Sequence, residues 1–81
     1  MNKDLAQRES DDYSVLIGES YFMKTDKITV KVNEIKPTSP DDTEDYEVWV
    51  TCERIDRNND RFPLRNYEIK FFLSDAEASE Q

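Results

Sequence analysis

Two stretches of this chain alternate strictly: ITVKV at 28–32 and YEVWVTCE at 46–53. In an extended chain, successive side chains point to opposite sides. Ile28, Val30 and Val32 therefore share one face, with Thr29 and Lys31 on the other. In the same way Tyr46, Val48, Val50 and Cys52 oppose Glu47, Trp49, Thr51 and Glu53. A period of two with one apolar face marks a strand buried on one side, the habit of antiparallel sheets.

The remaining segments are read around these two strands. MNKDLAQRESDD is polar and unpatterned, and reads as a flexible acidic arm over 1–12 or a short frayed helix. YSVLIGESYFM is rich in aromatic and branched residues and reads as a strand, broken or bulged at Gly18, the only glycine. KTDK makes a turn, and the proline- and aspartate-rich 37–47 is an exposed acidic loop. DRNND is a second turn, and Pro63 ends any continuous central strand. LRNYEIKFFL fits both periods. Alternation groups Tyr67, Ile69, Phe71 and Leu73, whereas helical spacing groups Leu64, Tyr67 and Phe71. Its aromatic and branched content favours a strand, with a helical turn allowed near 63–67. The end, 74–81, is a flexible acidic tail.

The expected fold is mainly β: one small domain over 13–73, about four to five strands in an antiparallel meander, with disordered ends. The order of strand, long strand, acidic loop, strand, Pro-Leu segment and last strand resembles a partly open SH3-like barrel. That resemblance rests on strand spacing and carries no binding residues with it. With 81 residues and 36% hydrophobic content, the core must be small.

The net charge of −8 is unevenly placed. The loop 37–47 holds Asp41, Asp42, Glu44, Asp45 and Glu47 without a base, whereas 48–73 holds five bases against four acids. The charge picture is a near-neutral body with solvated acidic segments.

Composition removes much chemistry. Without His there is no ready proton shuttle and no commonest metal ligand. The lone Cys52 lies on an apolar strand face, where it acts as a small hydrophobe. One Cys and no His make no ordinary zinc site. Asp56, Asn58 and Asp60 have the spacing of calcium-loop oxygens, but Arg61 stands where glycine is needed and Tyr67 where the bidentate glutamate belongs. No glycine-rich phosphate loop occurs. The expectation is a protein that is not an enzyme and holds no cofactor or metal. No disulfide, signal or membrane-length apolar run is present, so the expected location is cytoplasmic, with no membrane partner.

Two interaction surfaces remain. The first is a protein-binding patch of Trp49, Tyr46 and Tyr21 with the acidic residues Asp41, Asp42, Glu44 and Asp45, docking on a larger basic partner. In size and acidity the chain is similar to small phage-encoded inhibitors that mimic nucleic acid, which implies an inhibitor as one version of this reading. The second surface is a nucleic-acid contact through Arg54, Arg57, Arg61 and Arg65. It ranks lower because Glu53, Asp56, Asp60 and Glu68 interleave with the arginines. A structural subunit of a larger assembly, self-associated along a strand edge, is the third reading.

Overall fold

A computed structural model describes residues 1–39 and 44–79. The element order is α1 (Lys3–Asp12), a 3-10 turn at Tyr13–Leu16, β1 (Ser20–Met23), β2 (Ile28–Thr38), β3 (Glu47–Arg54), β4 (Leu64–Glu68), α2 (Ile69–Asp75) and β5 (Ala76–Ala78). The strands form one open sheet in the order β4-β3-β2-β1-β5. Each adjacent pair is antiparallel. The meander expected from the sequence is thus the architecture, extended by a last strand that returns to pair with the first.

The alternation at 28–32 and 46–53 does what it implies. Ile28, Val30 and Val32 from β2, with Val48, Val50 and Cys52 from β3, are buried on one face. β2 slips register between Val32 and Glu34, where a bulge inserts Asn33. The extra residue re-aims the strand, so Ile35 rejoins the buried face three positions after Val32. Ala6, Met23, Tyr67, Ile69 and Phe72 complete the core. At about 1.5–3 kcal/mol for each large apolar side chain taken from water, this cluster is the main source of stability.

One segment takes the second of its two expected forms, and two others differ from theirs. Residues 3–12 make a helix with Asn2 as N-cap, its side chain accepting from the Leu5 N–H at 2.9 Å. Its inner face is Ala6 and Ser10, one turn apart and both buried, small enough to let the helix lie close against the sheet. Residues 13–23 are not one strand. Gly18, at φ +92°, turns the chain after the 3-10 segment, and only Ser20–Met23 is extended. The helical turn expected at 63–67 lies later, at Ile69–Asp75, and 64–68 is strand. Glu68 caps that helix: its carboxylate accepts from the N–H groups of Lys70 (3.0 Å) and Phe71 (3.2 Å).

α2 also sets the curl of the sheet. It leads from β4 at one edge to β5 at the other. Four flat strand spacings would span roughly 19 Å. A seven-residue helix rises only about 10 Å. The sheet must therefore bend around it. Accordingly Tyr21 of β1 and Tyr67 of β4 both reach the same ring, with centroids 5.3 and 6.2 Å from Phe72. The Tyr67 hydroxyl continues to Asp26 in the β1–β2 turn at 2.9 Å. Asp75, at the end of α2, holds the same turn by accepting from the Thr25 hydroxyl (2.7 Å) and N–H (3.0 Å). Among the described residues no helix is long and apolar enough to cross a membrane, a finding that concerns helical spans alone.

Candidate functional site

The helices cover one face of the sheet and leave the other open. The cross-strand register fixes what the open face carries. Glu34, Thr51 and Asn66 form one row across β2, β3 and β4; Lys36, Trp49 and Glu68 form the next. Trp49 is thus flanked by Lys36 and Glu68, with Glu47 two residues earlier on the same strand and face. The indole N–H donates to a Glu47 carboxylate oxygen at 3.2 Å. The Thr51 hydroxyl meets the Asn66 amide oxygen at 3.0 Å, and Lys36 pairs with Glu34 at 3.4 Å. A shallow recess on this face is lined by Lys36, Thr38, Trp49, Thr51 and Asn66. Trp49 is half-buried there, an apolar ring ringed by polar groups.

The expected aromatic patch does not assemble around it. Tyr46 has the strand parity of Val48 and Val50, and packs against the core. Tyr21 sits opposite Val30, on the covered face, edge-on to Phe72. Burial pushes its hydroxyl pKa up. Both tyrosines therefore belong to the other side of the sheet; the open face carries Trp49 and, by parity, Phe22 of β1 opposite Thr29. The alternation already dictated this for Tyr46. For Tyr21 it depended on a register that only pairing reveals.

The acidic set divides too. Asp41 and Asp42 lie outside the described residues. Glu44 is exposed. Asp45 is engaged: the Met1 ammonium donates to its carboxylate at 2.6 Å and to the Tyr46 carbonyl at 3.1 Å. That hydrogen bond and charge hold the Asp45 carboxyl below its ordinary range. Glu47 takes the place of Asp45 on the Trp49 face, at the strand end where the acidic loop rejoins the sheet.

Of the arginines, two are committed to one carboxylate. Arg54 donates to Asp56 at 2.6 Å and to Asp60 at 3.3 Å. Arg65 donates to Asp60 at 3.3 Å and to the carbonyls of Phe62 and Leu64. Asp60 also accepts from the Phe62 N–H at 3.0 Å. That bond, with the two guanidinium groups, holds its carboxyl low. The hub folds the 55–63 loop. Arg57 and Arg61 are exposed. The four arginines therefore do not present one basic field, and the two carboxylates of the supposed calcium loop serve Arg54 and Arg65. Among the described residues no three His, Cys, Asp or Glu side chains gather as metal ligands. Burial pushes the Cys52 thiol up to about 12, away from any nucleophilic role near neutrality.

Comparison with protein-family models, curated proteins and solved structures yields no match to this chain.

Proposed function

We propose that this chain is a non-enzymatic cytoplasmic docking module. Its contact surface is the open sheet face at Trp49 with the adjoining acidic loop, and its partner is a larger protein with a basic surface. The observation that carries the reading is the position of Trp49. A large aromatic stands half-buried in a recess on the uncovered face, beside Glu47 and Glu68, at the sheet end where the acidic loop rejoins it. Such a ring supplies contact area at small entropic cost, and the surrounding polar groups supply a rim. The loop carboxylates and the charge of −8 supply attraction at a distance, raising the rate of encounter with a basic partner. Inhibition of a nucleic-acid-binding protein by occupying its basic site is one version of this function.

The test is capture of partners by the intact protein, its Trp49→Ala variant and an Asp41/Asp42/Glu44→Ser variant, at increasing salt. Loss of a central tryptophan should weaken capture by about thirtyfold or more. The loop variant should bind more weakly at low salt and show a flatter salt dependence. Equal capture by the parent and Trp49→Ala rejects the docking face; an unchanged salt profile rejects the electrostatic part.

A further inference from the structure

The sheet has two edges, and they are unlike. β5 is three residues long and carries Ala76, Glu77 and Ala78. β4 is five residues long, contains no proline or lysine, and stands at the opposite edge. Exposed apolar side chains gather around it: Phe62 is 76% exposed, Leu64 59% and Phe71 41%. Phe71 stacks on Tyr67 of β4. An edge strand of this length with apolar neighbours is a template for pairing.

The hydrogen-bond phase shows what the edge offers. The Arg54 N–H donates to the Pro63 carbonyl at 2.7 Å, one step beyond the β3–β4 ladder. In an antiparallel pair, bonded and non-bonded pairs alternate. Cys52/Arg65 and Val50/Tyr67 are therefore the bonded pairs, and Leu64, Asn66 and Glu68 fall in the non-bonded ones. Leu64 and Asn66 turn their N–H and C=O groups away from β3, toward the edge, and Glu68 turns its N–H there, while its carbonyl, as that of the N-cap, opens the bonding of α2. The Leu64 carbonyl accepts from its neighbour Arg65 at 3.0 Å, consistent with that direction.

We propose that two copies of this chain pair antiparallel along β4, about a two-fold axis through Asn66, to make one continuous sheet. The register is self-complementary. Asn66 meets Asn66 of the second copy as a bonded pair exchanging two backbone hydrogen bonds, and Leu64 meets Glu68 on either side. Asn66 thus exchanges two bonds and each Leu64/Glu68 pair adds one, from the Glu68 N–H to the Leu64 carbonyl, and the pleat is kept because each residue meets one of its own face. Arg65 sits opposite Tyr67 of the second copy, both on the covered face, and keeps its bond to Asp60. The Arg65 contact to the Leu64 carbonyl is the one that gives way. A second copy fits this edge better than a strongly basic partner does, because 48–73, with five bases against four acids, is close to neutral. Like-charge repulsion between copies is small there.

Sedimentation of the full chain from micromolar to millimolar concentration tests this. The parent should form dimers as concentration rises. Asn66→Pro removes an edge-facing N–H while sparing the β3–β4 ladder, and should weaken dimerisation about thirtyfold with an unchanged circular dichroism spectrum. Leu64→Glu, facing Glu68 of the other copy, should weaken it, whereas Leu64→Lys should preserve it. A parent that stays monomeric overturns the proposal. So do dimers that persist undiminished in a folded Asn66→Pro variant, and so does equal loss from both Leu64 variants, which would mean apolar association without this register.

Discussion

Ser10 offers a sharp test of how α1 meets the sheet. Its side chain is 1% exposed, and its hydroxyl has no hydrogen-bond partner among the described residues. Burying an unpaired hydroxyl costs about 1–3 kcal/mol on the scale set by protein substitutions. Alanine is also the better helix former, by about 0.5 kcal/mol. Against this, removing one oxygen leaves a small void, whose cost is a fraction of the roughly 1 kcal/mol of a buried methylene. The balance favours Ser10→Ala by about 1–2 kcal/mol. For a domain of this size each kilocalorie moves Tm by about 4–8 °C. Urea unfolding followed by Trp49 fluorescence measures it, since this is the only tryptophan and it lies on a strand. A gain no larger than helix propensity would mean that position 10 does not bear on the sheet. A loss would mean that the hydroxyl is bonded, for instance back to the Ala6 carbonyl four residues earlier. The first result refutes the account of α1 as a helix held close by a small-residue face; the second refutes the unpaired hydroxyl.

Three other outcomes follow from the geometry. The Asp75 carboxyl is held low by the Thr25 hydroxyl and N–H; a depressed folded-state pKa adds stability above the ordinary carboxylate range, lost as pH falls through the folded value. Asp75→Asn should thus lower Tm near neutrality, and the gap from the parent should close in acid; a constant gap across the titration refutes this role. Cys52, fully buried and raised to about 12, should resist thiol reagents near pH 8 until the fold opens, so rapid labelling of native protein contradicts its position. Glu68→Ala removes the acceptor for two N–H groups at the start of α2 and should cost about 1 kcal/mol in chemical unfolding.

What the sequence discloses depends on how strongly a local pattern records its surroundings. β2 and β3 have an apolar core on one side and an uncovered face on the other, so the alternation of Val30, Val32, Val48 and Val50 writes the sheet directly into the chain. Trp49 follows by parity. α1 leaves no such mark, because its inner face is Ala6 and Ser10 and the stripe continues through Tyr13 and Leu16, past its end. LRNYEIKFFL fits two periods because it is two elements: Tyr67 obeys the strand and Phe72 the helix. The break between them is made by Glu68, a residue seldom used as an N-cap. The Asp60 hub joins Arg54 and Arg65 from two strands through a loop, and no spacing rule announces it.

The return of β5 to β1 bears on how the protein is made. Tyr21 pairs with Ala78, and Met23 with Ala76, so β1 is sealed by residues synthesised more than fifty positions after it. While the chain is still emerging from the ribosome, β1, β2 and β3 can join but one flank of β1 stays bare. Contacts of such long sequence separation form late in folding. Until 76–78 arrive, that flank is an open strand edge on which another chain can pair.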